Sequence, residues 1–141
     1  MRRNIALLVL ALLASTGCAT PSDTATRSAD VIEITMRDSV FDPKTISVER
    51  GEEVTFRFVN RGSLEHEAFI GEASEQKAHE REMGDDGEGS GHHMGGTTFV
   101  SVQPGKSAVL THTFTERGTT LIGCHVPGHY GSGMRVKVKV T

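Results

Sequence analysis

Apolar and polar residues alternate with a period of two along several short stretches of this chain. The alternation is clearest just before residue 60, in Val54, Phe56 and Phe58. It returns near the end of the sequence, in Val136, Val138 and Val140, with Lys137 and Lys139 between them. Successive side chains of a β-strand point to opposite faces, so each stretch predicts a strand with one buried face.

Further short runs rich in apolar and β-branched residues lie between turn-forming residues. They predict strands at residues 31–36, 45–48, 68–70, 99–102, 108–114 and 119–124. The turn residues 103–106 predict a hairpin between the strands at 99–102 and 108–114. Seven to eight short strands of this kind predict an all-β Greek-key β-sandwich, interrupted by one long insertion loop.

The first residues have the pattern of an export signal. A cationic start precedes an apolar run at 5–14 that is too short to span a bilayer, and small residues then lead to Cys18. We therefore expect a signal peptide at 1–17 of the lipoprotein type, lipidation of Cys18, and a flexible tether at 18–29. Ser15 stands where such signals usually have a Leu-like residue, so cleavage without a lipid stays open. The predicted location is the periplasm or the outer cell-envelope surface.

Length and charge limit the remaining classes. The chain has 141 residues, 36% of them hydrophobic and 23% charged, and a formal net charge of −3. One domain, at 30–141, accounts for this length. The absence of a basic cluster outside the N-terminus argues against nucleic acid as a partner. Between residues 72 and 90 the sequence has seven acidic and two basic side chains, so the negative charge is local.

This acidic stretch belongs to an insertion at 72–96, for which we expect an irregular, solvated backbone. The insertion also carries soft and borderline metal ligands, namely His79, Met83, His92, His93 and Met94. They form a candidate copper site, secondary to the one described next. The alternative is a solvated loop that binds no metal.

A second group of ligand-type residues lies in the loop between the last two predicted strands. Cys124, His129 and Met134 follow the spacing C-x4-H-x4-M. Thiolate, imidazole and a weak thioether suit copper, and one more imidazole would complete a His2Cys plane with an axial Met. His66, near the end of an earlier strand, is the candidate. Taken singly, each residue has an ordinary structural explanation, as core filler or a surface histidine.

With these residues the chain resembles the cupredoxins, the family of plastocyanin, azurin and auracyanin. The resemblance covers roughly residues 30–141 and implies His66, Cys124 and His129 as equatorial copper ligands, with Met134 as the axial ligand. Glu67 stands where plastocyanin and azurin have Asn, a position close to the thiolate whose hydrogen bonds tune the potential and colour of the copper. His/Met-rich segments make copper-tolerance cupredoxins of the bacterial envelope the most similar subgroup.

His125 directly follows the candidate ligand Cys124, and strand alternation predicts that it points away from the metal. In multicopper oxidases, histidines on both sides of the Cys connect two copper centres, but here the preceding residue is Gly123. We therefore expect no enzymatic activity.

Three functions remain open. The first is a one-electron carrier, expected to be a monomer that meets a redox partner protein transiently and touches the membrane only through its lipid. The second is a copper-tolerance protein that sequesters, delivers or oxidises copper. It would use the copper site at Cys124 together with the His and Met residues of the insertion at 72–96. The third is a metal-free β-sandwich module for adhesion or interaction.

Overall fold

The computed structural model describes residues 31–85 and 98–141. These residues form nine strands and one helix: β1 (Val31–Arg37), β2 (Val40–Asp42), β3 (Thr45–Val48), β4 (Glu53–Asn60), β5 (His66–Gly71), α1 (Ala73–Asp85), β6 (Phe99–Val102), β7 (Ser107–Thr113), β8 (Gly118–Gly123) and β9 (Arg135–Val140). The predicted signal peptide, tether and Cys18 lie outside this part of the chain. No helix within it is long and apolar enough to cross a membrane.

The strands form two sheets, which confirms the predicted all-β sandwich. One sheet has the order β2-β1-β4-β7 and the other the order β3-β9-β8-β5-β6. The pairs β1–β4 and β3–β9 are parallel, and the remaining neighbours are antiparallel. Neighbours distant in sequence therefore lie side by side, and β5 and β8 meet in the middle of the second sheet.

The core lies between the sheets and contains the residues that the alternation predicts. Val54, Phe56 and Phe58 of β4 are 0–2% exposed, whereas the lysines of β9 are exposed and its valines are buried. The rings of Phe56 and Phe114 meet edge to face, with centroids 6.1 Å apart. Burying a side chain of this size stabilises the fold by about 1.5–3 kcal/mol.

The predicted hairpin between residues 99–102 and 108–114 is wrong, because its two strands belong to different sheets. β6 pairs with β5, and β7 pairs with β4. A tight turn does form, with the N–H of Lys106 donating to the carbonyl of Gln103 at 3.0 Å and Gly105 at φ 72°. This turn carries the chain from one sheet to the other, and turn residues alone do not specify which strands pair.

The expectation of an irregular backbone in the insertion is wrong for its first half, because α1 occupies residues 73–85. Glu72 precedes the helix, and the Glu75 carboxylate accepts a hydrogen bond from the Glu72 N–H at 2.7 Å. This is the backbone-directed half of a capping box. Gln76 and His79, three residues apart, share one helix face and are 0% and 6% exposed. That buried face, rather than a strong apolar stripe, attaches the helix to the second sheet.

Candidate metal centre

Three side chains from distant parts of the sequence meet at one end of the sandwich. Cys124 Sγ lies 3.6 Å from His129 Nδ1 and 3.9 Å from His66 Nδ1. All three side chains are buried, and their potential ligand atoms lie within 4.8 Å of one another. The convergence of His66 with Cys124 and His129 is the arrangement that the sequence predicted.

The second sheet positions these side chains. His66 is the first residue of β5 and pairs with Val102 of β6. Cys124 directly follows β8, the strand on the other side of β5. Because β5 and β8 are hydrogen-bonded neighbours, residue 66 and residue 124 come together despite the 57 residues between them.

Backbone hydrogen bonds close the loop that carries the other candidate ligands. The N–H of Met134 donates to the carbonyl of His129 at 3.0 Å, and the N–H of Cys124 donates to the carbonyl of Met134 at 3.2 Å. Gly128 and Gly133 adopt φ values of 84° and 95°, which glycine reaches without steric strain. Met134 is fully buried, and its backbone is hydrogen-bonded to both Cys124 and His129.

The distances from the Cys124 sulfur to the two imidazole nitrogens fit one metal ion with trigonal coordination. Metal bonds of about 2.3 Å to thiolate and 2.0–2.1 Å to imidazole, at trigonal angles, put sulfur and nitrogen about 3.7 Å apart. The two observed S–N distances, 3.6 and 3.9 Å, bracket that value. Two imidazoles and one thiol are also the main ligands of blue-copper centres, and Met134 of the same loop offers the thioether that such centres use as a weak further ligand.

Burial makes this site unfavourable for isolated charges. It raises the pKa of the Cys124 thiol to about 11, and burial together with the neighbouring His129 lowers the pKa of the His66 imidazole. The metal-free site therefore holds a neutral thiol and a neutral imidazole at neutral pH. A bound cation would offset the charge of a thiolate, and its binding would displace the thiol proton.

Glu67 contacts the site through its backbone. Its N–H donates to Cys124 Sγ at 3.4 Å. Its side chain is 12% exposed and turns toward α1, where a carboxylate oxygen lies 3.9 Å from His79 Nε2. A hydrogen bond to the sulfur is thus present, while the carboxylate faces the helix.

His125 points away from the sulfur and the two imidazole nitrogens of the candidate site, as predicted, and is buried against α1. Its Nε2 contacts Gln76 Oε1 at 2.7 Å, and its Nδ1 contacts the carboxylate of Glu80. Its ring stacks on Tyr130, with centroids 4.5 Å apart, and meets the His79 ring edge to face at 4.8 Å. Sequence reasoning missed Gln76 and Glu80, although their spacing of four residues, which places them on one face of a helix, is a signal that could have found them.

The candidate secondary ligands are not gathered by the part of the chain that the structure describes. His79 is buried against Phe69, with ring centroids 4.6 Å apart, and Met83 is half-buried on α1. His92, His93 and Met94 lie outside the described residues. Among residues 31–85 and 98–141, the one set of three or more metal-binding groups is that of His66, Cys124 and His129. A second copper site stays a prediction.

Comparison with known proteins agrees with this fold. A family model described as a cupredoxin-like domain matches residues 4–82. The copper-resistant cuproprotein CopI of Rubrivivax gelatinosus is 36% identical over 121 residues, which cover 85% of this chain and 71% of that protein. CopI of Pseudomonas aeruginosa is 33% identical over 136 residues, covering 78% of this chain and 75% of that protein.

Solved structures show the same architecture. Dithionite-reduced auracyanin from Roseiflexus castenholzii superposes with a TM-score of 0.66 at 25% identity, covering 81% of this chain and 98% of auracyanin. The family match extends over more than half of the chain, and the two CopI proteins are similar over more than two thirds of their length. The chain belongs to the cupredoxin family.

Proposed function

We propose that this protein binds one copper ion through His66, Cys124 and His129 and contributes to copper tolerance outside the cytoplasm. The observation that carries the proposal is the convergence of two imidazole nitrogens and one sulfur within 4.8 Å in a buried site. Met134, fully buried in the same loop, is the proposed axial ligand. The copper ion would supply one-electron chemistry between Cu(I) and Cu(II).

The chain's own residues hold this site in a fixed shape. β5 and β8 set the spacing of His66 and Cys124, and the loop hydrogen bonds set His129 and Met134. Burial excludes water from the sulfur, which would otherwise be open to oxidation outside the cytoplasm.

Copper tolerance is favoured by the relatives, since both CopI proteins carry copper resistance in their names. The predicted export signal and lipid attachment at Cys18 agree with a role in the cell envelope. The acidic insertion with its His and Met residues agrees with collection of copper ions at the protein.

One-electron transfer to a transient protein partner is the second candidate. It is favoured by the closeness of the donor atoms without a metal, because a preformed site changes little between two oxidation states. Both candidates use the same copper site, and in neither is the protein an enzyme.

A growth assay tests the proposal. The full chain, expressed in a copper-sensitive bacterium that lacks its own homologue, should restore growth in copper. The Cys124→Ser variant, exported in equal amount, should not. Equal growth of both strains would refute tolerance through this site. Rescue that disappears only when a redox partner is deleted would favour the electron carrier.

A further inference from the structure

The outer nitrogen of His66 has no hydrogen-bond partner among the residues that the structure describes. The inner nitrogen, Nδ1, faces Cys124, whereas Nε2 points to the opposite side and is buried in a side chain with 0% exposure. If Nδ1 binds a metal, Nε2 must carry the proton. Metal-binding imidazoles almost always donate this second N–H to an oxygen, which fixes the ring and its tautomer. The geometry of His66 thus calls for an acceptor.

Asp38 is the acceptor that the fold brings to this nitrogen. It lies in the tight turn between β1 and β2, and its Oδ1 is 3.9 Å from His66 Nε2. Ser63 holds the carboxylate in place, with its N–H donating to Oδ1 at 2.9 Å and its hydroxyl donating to Oδ2 at 3.2 Å. A carboxylate has about four acceptor positions, so these two bonds leave room for another.

Gly62 keeps the space between the two groups open. A Cβ atom at this position would lie 2.6 Å from Asp38 Oδ1 and 2.9 Å from His66 Nε2. Any side chain at residue 62 would therefore press on both groups at once. The Gly62 N–H donates to Asn60 Oδ1 at 2.9 Å, which holds this backbone in position.

We propose that Asp38 is a positioning residue of the copper site, accepting a hydrogen bond from the Nε2–H of His66. The carboxylate is 57% exposed, and a movement of about 1 Å brings it to hydrogen-bond distance. The bond holds the tautomer that presents Nδ1 to the metal. The negative charge also raises the basicity of the imidazole and stabilises Cu(II) more than Cu(I). This inference rests on the ligand set of the proposed function.

The test compares Asp38→Ala and Gly62→Ala with the wild type and with Glu116→Gln, which removes one exposed carboxylate elsewhere. Affinities for Cu(II) and Cu(I) are measured by competition with chelators, and the reduction potential by redox titration. Loss of an outer hydrogen bond lowers metal affinity about 10- to 100-fold. Both alanine variants should lose Cu(II) affinity in this range and Cu(I) affinity less. For each factor of ten by which the loss of Cu(II) affinity exceeds the loss of Cu(I) affinity, the reduction potential rises by about 59 mV.

Two further variants separate positioning from folding. Asp38→Asn keeps an acceptor but removes the charge, so it should retain most of the Cu(II) affinity and still raise the potential. The double variant Asp38→Ala with Gly62→Ala should lose no more than either single variant, because both remove the same bond. A purely structural role would lower the unfolding midpoint of the metal-free protein and leave the potential unchanged.

The outcomes are distinguishable. Asp38→Ala and Asp38→Asn proteins with the affinities and potential of Glu116→Gln would overturn the inference while leaving the copper site intact. A His66→Ala variant that binds copper as tightly as the wild type would overturn the ligand set itself, and with it this inference.

Discussion

At the scale of single residues, Cys124 shows how burial and metal binding are related. Its side chain is fully buried, and that burial raises the pKa of the thiol from an ordinary 9.0 to about 11. The fold thus favours the neutral thiol, and a metal ion must displace its proton. The same burial protects the sulfur from solvent oxidants.

This pKa predicts a stability change of the metal-free protein in alkaline solution. Between pH 9.0 and about 11 the unfolded chain releases the Cys124 proton while the folded chain retains it. The free energy of unfolding therefore falls as pH rises through this window, by up to about 2–3 kcal/mol from this group. Urea unfolding at pH 8 and at pH 10.5 measures the change.

Cys124→Ser is the control for the other groups that titrate in this range, since its hydroxyl does not ionise there. The decrease should be smaller in this variant by the contribution of the thiol. An equal decrease in both proteins would contradict the shifted pKa.

At the scale of elements, the buried amide of Gln76 connects α1 both to the second sheet and to the candidate metal loop. Gln76 Nε2 donates toward the carbonyls of Phe69 and Leu121 at 3.0 and 3.1 Å, and Gln76 Oε1 contacts His125. One side chain thereby connects the helix to β5, to β8 and to the residue after Cys124. The helix is part of the frame around the candidate site.

Replacement of this amide should weaken the whole domain. Gln76→Met keeps a similar volume but leaves buried carbonyls and His125 without their partner, at about 1–3 kcal/mol for each unsatisfied group. We expect the free energy of unfolding to fall by at least this amount in urea titrations. Lys77→Met, exposed on the same helix, should change it by less than about 0.5 kcal/mol. Equal stability of the two variants would contradict docking through Gln76.

Gly123 leaves no space for a side chain where α1 packs against the end of β8. A Cβ atom there would overlap Gln76 Oε1 and lie 2.8 Å from the Tyr130 ring. Gly123→Ala should destabilise the protein by about 1–3 kcal/mol, as overpacking does. Gly131→Ala, whose new Cβ would meet its nearest atom at 3.9 Å, should change the unfolding midpoint much less. A Gly123→Ala protein as stable as Gly131→Ala would show that α1 does not pack here.

The sequence predicted those elements whose pattern is local and regular. The alternation in β4 and β9 identified their buried faces, and the spacing of Cys124, His129 and Met134 indicated the loop. It did not predict α1, because the helix buries Gln76 and His79 rather than an apolar stripe. It also mispaired β6 and β7, since pairing depends on distant strands. The sequence does not indicate that Asp38 and Gly62 lie beside His66, because this contact depends on where the fold positions the turn between β1 and β2.

At the scale of the whole molecule, copper binding by the acidic insertion can be tested separately from copper binding by the buried site. His92, His93 and Met94 are the candidate ligands of the insertion that lie outside the described residues, and a triple alanine variant tests them together. If this segment collects copper, the wild type should bind more than one equivalent, and the triple variant fewer, as measured by metal analysis after gel filtration. The thiolate-to-copper absorption should be equal in both. Identical stoichiometry would show that these residues bind no copper.

Visible absorption of the Cu(II)-loaded protein measures whether His66, Cys124 and His129 hold one copper ion. We expect an intense thiolate-to-copper band at one copper per chain. The band should be absent in Cys124→Ser and strongly reduced in His66→Ala. A wild-type protein that takes up Cu(II) without this band, or a His66→Ala protein with an unchanged spectrum, would show that these three residues do not form the copper site.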